Sequence, residues 1–501
     1  MQNSSAGYAQ EQLKALASNY RLTPATLAAK LDPNWIASPH LQYISAKIAH
    51  AIVKGNGRLI ISAPPRHGKS ELITRNLPIW VHENFANKEV VLTTYGGELS
   101  ADFGREVRDK INENKELLNT RVRKDVSAVA NWVTDKGGSM RSIGIGGPIT
   151  GRGADVLLID DYIKEIKEAL SANQRDYIWN WFVTTAFTRI EPGGSCIIIA
   201  TRWHHDDLIG RILKAKEELG EWEYIRLPAE AEEGDVLGRA VGDPLFPERY
   251  DRKALAERRA VLGSFFYNAM FQQNPVSDDA ALTNAAWLKT VPALPTDEEY
   301  TYARVWDLAA TEDGGDWTVG TLLAYGRKTQ NVYIVNIIRR QMSPGAVESR
   351  VRNTAVADGV TVPIYIEQEP GSAGKSLVAM YEQTVLPEFT VTKVPVVTDK
   401  LVRAQPFLAA AEAGRVYLVE GPWNKAFIDE FESFPNGHHD DQIDTASAGY
   451  NLMAVKKKLP VSWGRGKNTG WARTPGGIVV PNGSVPGLVK KQSQSTFGRT
   501  S

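Results

Sequence analysis

The sequence predicts an α/β protein of two successive domains, the first built on a parallel sheet and the second on a mixed one. Three observations carry this. Short aliphatic runs alternate with helical segments from residue 58 to about 203. That rhythm breaks between about 228 and 300, where charge, Pro and Gly increase. A second set of strands starts at 301, joined by tight turns. A chain of 501 residues is also too long for a single core.

The first 34 residues read as a helical extension. The stretch 39–54, "PHLQYISAKIAHAIVK", has apolar residues at helical spacing and ends at Gly55. Four aliphatic strands follow: "RLIISA" (58–63), "EVVLTTY" (89–95), "ADVLLIDDY" (154–162) and "SCIIIATRW" (195–203). Helical segments such as 171–186 lie between them, so a parallel sheet covered on both faces is expected. The first domain then spans 35–276, with 228–276 as a closing subdomain and "FFYNAMFQQNPV" as its last packed element. Residues 277–300 read as a linker. In the second domain (301–455), "YARVWDLAA", "WTVGTLLAYG" and "NVYIVNIIRRQ" read as antiparallel strands. "VPIYIEQEP" is a fourth strand after a helix, and "DDQIDTASAGYNLMAV" closes the domain as a helix. The tail 456–501 has nine Lys or Arg, no Asp or Glu, and many Gly, Pro and Ser. This composition predicts disorder and suits contact with nucleic acid or a protein partner.

Formal net charge is zero, which argues against a polyanion-coated protein without excluding local basic surfaces. The single cysteine, Cys196, excludes a disulfide within the chain and argues against a cysteine-based zinc site. It fits a reducing cytosol. No signal peptide is expected at the N-terminus, and no apolar run reaches the ~18 residues of a membrane span.

"SAPPRHGKS" (62–70) follows an aliphatic strand and opens a helix. It approximates the phosphate-loop pattern G-x-x-x-x-G-K-[ST], with Gly68, Lys69 and Ser70 in place and Ala63 where the first glycine stands. Pro64, Pro65, Arg66 and His67 fill the loop. Such a loop aims backbone N–H groups at phosphate, with a lysine for the β- and γ-phosphates and a hydroxyl for Mg²⁺. "DVLLIDD" would set Asp160 to hold Mg²⁺ and Asp161 to polarise the attacking water, with Glu165 in reserve as the base. Thr201 and Arg202 in "ATRW" would lie near the γ-phosphate. Arg202 could instead pair with Asp206 or Asp207. Arg152, in the Gly-rich run 144–155, is a further phosphate candidate. Together these predict a P-loop ATPase domain of the RecA-like kind, using ATP and Mg²⁺.

In the second domain, acids sit where strands end or helices start: Asp307, Glu367, Asp440, Asp441 and Asp444. An acid in an aliphatic strand is costly to bury unless paired or metal-bound. Carboxylates from separate elements suit two Mg²⁺ or Mn²⁺ ions that activate water for phosphodiester cleavage. The strand–strand–strand–helix–strand…helix order is that of a ribonuclease H-like nuclease. His438 and His439 could assist, Asp313 and Asp316 read as solvated, and Lys400 and Arg403 are candidate contacts to DNA phosphates.

An ATPase followed by such a nuclease resembles the large terminase subunits of tailed bacteriophages. The resemblance runs through most of 35–452 on "PPRHGKS", "GGPITGRGADVLLIDD", "ATRWHHDDLIGR", "FQQNPV", "VWDLAA", "IEQEPGSAGKS" and "FPNGHHDDQIDTAS". It implies a motor that translocates double-stranded DNA into a procapsid and cuts concatemeric DNA. It implies Arg66 acting in cis on the γ-phosphate, Gln42 reading adenine with Trp35 or Tyr43 stacked on the base, and "ATRW" coupling hydrolysis to movement. Asp307, Glu367 and Asp441 match the family's nuclease triad, whereas Asp161 replaces the usual Glu. Implied partners are the portal protein, the small terminase subunit and further copies of the chain, five on a portal ring. The implied place is the host cytoplasm, transiently on the procapsid portal and not in the mature virion. Two other readings share features: a DNA repair or recombination helicase–nuclease, and an ATP-gated DNA-binding scaffold with degenerate sites.

Overall fold

A computed structural model describes residues 19–147, 149, 153–276, 283–309, 317–368, 372–396, 399–435, 437, 439–455, 471–473 and 479–481. Arg152, Asp313, Asp316, His438 and most of the basic tail lie outside these.

The first sheet has eight strands: β1 (Arg58–Ser62), β2 (Glu89–Thr94), β3 (Val122–Ala128), β4 (Asn131–Thr134), β5 (Ser139–Gly144), β6 (Ala154–Asp160), β7 (Ile190–Ala200) and β8 (Glu223–Arg226). Their order is β3-β4-β5-β2-β6-β7-β1-β8. The six strands from β5 to β8 pair in parallel, and β3 and β4 extend that sheet antiparallel. The central strands bury both faces, which is why they read as unbroken aliphatic runs. Alternate residues feed opposite cores. Leu59, Ile61, Ile197 and Ile199 join one cluster, while Ile60, Cys196 and Ile198 join the other. Because the strands run parallel, the loops after β1, β6 and β7 emerge at one edge of the sheet, where ligands bind in open α/β sheets.

The kinked helix Arg252–Met270 follows, with its break at Gly263 (φ 67°, ψ 166°), a conformation open to essentially glycine alone. Leu255 and Tyr267, on either side of the break, pack with Ala229 and Phe271 of the first domain. Phe266, in the second half of the helix, enters the core of the second domain beside Leu401, Phe407 and Leu408. Glu412 accepts from Ser264 N at 2.8 Å and from the Ser264 hydroxyl, and Gln405 donates to the carbonyls of Val261 and Leu262.

The second sheet contains β9 (Lys289–Val291), β10 (Tyr300–Asp307), β11 (Thr318–Gly326), β12 (Val332–Arg340), β13 (Ile364–Gln368), β14 (Val391–Pro395) and β15 (Val416–Val419). Its order is β14-β13-β10-β11-β12-β15-β9, with antiparallel β10-β11-β12 and parallel pairs elsewhere. It is the mixed sheet expected from the sequence. β9 lies within the stretch that reads as a linker. There a three-residue strand, too short for a periodic signal, pairs with β15. The helix Asp441–Tyr450 packs against β10 and β11.

Candidate active sites

At the edge formed by β1, β6 and β7, the Ala63–Ser70 loop bounds a cleft of about 630 Å³. The loop's geometry explains the missing glycine. Ala63 keeps a strand-like place, its N–H donating to Ala200 O at 3.2 Å. The left-handed residues are Arg66 (φ 59°) and Gly68 (φ 85°). At Gly68 a Cβ would also crowd Leu41 Cδ1 at 3.0 Å, so that side chain would have to shift.

Lys69 is buried, donates to Thr201 Oγ1 and Ala63 O, and stands 3.3 Å from Asp161 Oδ1. Asp161 accepts from Thr201 N at 3.0 Å. Asp160 accepts from Thr74 Oγ1, and its other carboxylate oxygen is buried without a hydrogen-bond partner. Burial, then the neighbouring Asp161, pushes the Asp160 carboxyl up to about 6, against the pull of Lys69, Thr74 and Ser70. A buried carboxylate with an orphaned oxygen beside the Ser70 hydroxyl fits a hard divalent cation.

His67 faces away from solvent. Its Nδ1–H donates to Pro65 O at 2.9 Å, and its ring stacks on Tyr250 at 5.0 Å. His40 Nε2–H donates to His67 O at 2.8 Å. Arg66 is exposed and lines the cleft.

Lys69, Ser70, Asp160, Asp161, Thr201 and the loop from Ala63 to Gly68 thus come together. Other candidates do not. Gln42 donates to Ala37 O at 2.8 Å and is not in the cleft lining, whereas Trp35 is. Tyr43 packs against the domain core. Glu165 is exposed and precedes the short helix Ile166–Leu170. Arg202 is buried and pairs with Asp207 at 2.6 Å. Its N–H donates to Gln273 Oε1 at 3.0 Å. The sequence alone does not single out Arg75, Phe246 and Arg249, which line the cleft, or Gln273 beside Arg202. Nothing local in "FPERY" marks it as reaching this edge of the sheet, and "FQQNPV", although among the motifs of the resemblance, gives no sign that Gln273 meets Arg202.

In the second domain, parallel pairing of β10 with β13 puts Trp306 opposite Ile366, so Asp307 and Glu367 follow side by side. Burial, then Asp307 and Asp444, drives the Glu367 carboxyl up to about 8, with Arg403 and Lys400 offsetting part of this. Burial also raises Asp444. Lys400 Nζ donates to Asp440 Oδ1 at 2.6 Å, and Arg403 donates to Asp444 Oδ2 at 2.9 Å. The two basic candidates are therefore counterions of the acidic cluster in this arrangement. Glu430 accepts from the N–H groups of Gln442 and Ile443 and from the Gln442 amide, fixing the start of the Asp441–Tyr450 helix. The oxygen-donor chemistry suits Mg²⁺ or Mn²⁺. The spacing does not, because among the described residues no three His, Cys, Asp or Glu stand close enough to hold an ion.

Comparison with known proteins bears on both halves. The family model "Terminase large subunit, T4likevirus-type, N-terminal" matches residues 60–282, and "Terminase RNaseH-like domain" matches residues 304–452. No curated protein matches significantly. Among solved structures, a large terminase from a thermophilic bacteriophage is 12% identical over 80% of this chain and 95% of its own, with a TM-score of 0.47. The bacteriophage HK97 large terminase is 12% identical over 88% and 99%, with a TM-score of 0.36. The P22 large terminase nuclease domain is 11% identical over 35% and 92%, with a TM-score of 0.29. With the two family models matching in tandem over both sheets and both acidic sites, the chain belongs to the large terminase subunits of bacteriophages.

Proposed function

We propose that this protein is an ATP-driven motor that moves double-stranded DNA into a procapsid and cuts concatemeric DNA with a separate endonuclease site. One observation carries the motor half: Lys69, Thr201, Asp161 and the orphaned Asp160 oxygen converge on a single cleft-bounding loop. Lys69 and the loop N–H groups hold the ATP phosphates. Thr201 and Asp161 fix the lysine's direction, and Asp161, at the cleft wall, orients the attacking water. Ser70 and Asp160 would hold Mg²⁺, which neutralises phosphate charge when bound. Arg66, exposed at the mouth of the cleft, supplies positive charge toward the γ-phosphate. Trp35 offers the base a flat apolar surface.

The cutting half rests on the RNase H-like match, on the half-buried carboxylates Asp307, Glu367 and Asp441, and on the buried Asp444. Mg²⁺ or Mn²⁺, implied by the family resemblance, would be held by these acids only if they drew closer together than here, and loss of cutting on chelation is the test. Portal protein, small subunit and a five-membered ring of this chain complete the motor, assembled in the host cytoplasm. Among the described residues, no helix is long and apolar enough to cross a membrane. The chain divides into an ATPase domain over 35–276 and a nuclease domain over 301–455, to which β9 (Lys289–Val291) adds a strand from the segment between them.

Lys69→Ala should abolish ATP turnover and leave cutting intact, and Asp307→Ala should do the reverse. DNA packaging into purified procapsids should fail for Lys69→Ala. A single one of these substitutions removing both activities from a folded protein would overturn the two-site reading.

A further inference from the structure

Among the described residues, five non-glycine positions have positive φ, and three of them, Arg66, Asp161 and Gln273, lie on or beside the ATP cleft. Such a backbone is strained and persists only where neighbours hold it. For Arg66 the holder is visible. Arg249 Nη1 donates to the Arg66 carbonyl at 3.2 Å. The guanidinium of Arg249 lies 5.5 Å from the Phe246 ring centroid, close enough for a cation–π contact. Phe246 is itself buried against His40, whose ring bonds the next loop carbonyl, that of His67. Tyr250, one residue on from Arg249, stacks on His67. Two consecutive residues of the loop are therefore gripped by two consecutive residues of a segment 183 positions further along the chain. Among the described residues no carboxylate pairs with Arg249, so its aim is set by the ring beneath it and the carbonyl ahead of it.

We infer that Arg249 is a positioning residue of the ATPase site. It holds the Arg66 carbonyl, keeps Arg66 in its left-handed conformation, and so directs the Arg66 side chain at the transferred phosphate. The inference rests on the proposed role of Arg66. Without the Arg249 donor, the strained residue relaxes toward ordinary backbone and the guanidinium of Arg66 swings away. Binding of ATP, carried by Lys69 and the loop N–H groups, is left in place.

The test is steady-state ATP hydrolysis by the full chain carrying Arg249→Ala, Arg249→Lys, Arg66→Ala, or Arg66→Ala with Arg249→Ala, each checked for folding by circular dichroism. The expected result is about a tenfold fall in kcat for Arg249→Ala with KM for ATP within twofold, about 1.4 kcal/mol in the barrier. Arg249→Lys, which keeps a donor on a long stem, should recover most of the rate. The double variant should be no slower than Arg66→Ala alone. Multiplying losses in the double variant would overturn the inference, since Arg249 would then act independently of Arg66. A KM rise matching or exceeding the kcat fall would also overturn it and make Arg249 a plain binding residue. Full activity of Arg66→Ala would refute the role of Arg66 itself, and this inference with it.

Discussion

Lowering the pH should unfold the first domain through three buried histidines. Burial lowers His40 to about 4, His67 to about 3 and His82 to about 4. The cationic groups around them push the same way. Arg239 faces His40, and His40, Lys69 and Arg249 face His67; the carbonyls of His67 and Leu245 at His40, that of Pro65 at His67, and Glu83 beside His82 favour the charged forms and only partly offset burial. The folded values lie below the unfolded 6.5, so below pH 6.5 the unfolded chain binds the extra protons and stability falls with pH. Each histidine contributes about 1.4 kcal/mol per pH unit, and three together about 4. Asp160 runs the other way. Its folded value of about 6 exceeds the ordinary 3.8, so below pH 6 it returns about 1.4 kcal/mol per unit. The histidine slope is only half developed at pH 6.5 and Asp160 offsets part of it, so between pH 6.5 and 5 the domain should lose about 3.5 kcal/mol, a large part of a typical 5–15 kcal/mol. Urea titrations at pH 5, 6, 7 and 8, without nucleotide, would measure this by hydrogen exchange in the peptides of β1 and β2. His82→Leu is the internal check. Neither of its ring nitrogens has a hydrogen-bond partner, so the change should cost little at pH 8 and remove about a third of the histidine slope. A slope below about 1 kcal/mol per unit between pH 6.5 and 5, or one unaltered in His82→Leu, would refute the reasoning.

Three substitutions probe packing. Gly263→Ala must force φ 67°, ψ 166° on a residue with a Cβ only 3.3 Å from that of Ala409. It should cost about 1–3 kcal/mol and speed amide exchange in 260–266 before β1 responds. Arg304 is buried in β10 and paired at 2.7 and 2.8 Å to Asp358. Asp358→Ala should cost about 3–5 kcal/mol in urea denaturation of the second domain, and a loss under 1 would contradict burial of the guanidinium. Gly320→Ala would place a Cβ 2.4 Å from the Trp306 ring and should lower stability by about 1–3 kcal/mol in the same titration.

The central strands were legible because burial on both faces leaves no alternative to aliphatic side chains. The helix Pro39–Lys54 ends where its sequence says, at Gly55 with φ 76°. β3 was not legible. "VRKDVSA" is half-exposed at the sheet edge, where water makes polar residues acceptable. At the ATP site, residues fixed by the loop's own geometry could be read from spacing. Arg249 could not, since its meaning arises only when a distant turn folds over the loop. Lys400 and Arg403 show the same limit: spacing marks two cations on a helix but not the acids they face. Gln42 and Trp35 lie a few residues apart, and only the turn before the helix decides which one faces the cleft.

The kinked helix has a practical consequence for dividing the chain. A fragment beginning at Thr283 would keep the whole second sheet yet lose Phe266, leaving Leu401, Phe407 and Leu408 to meet water where that ring now sits. Glu412 would lose both its Ser264 donors in the same cut. A fragment ending before residue 277 would keep Tyr267 packed on Phe271 and Ala229 but carry Phe266 as an exposed ring. Cutting at the connecting segment therefore injures both pieces, and a nuclease fragment that begins at Arg252 keeps the packing that the second domain uses.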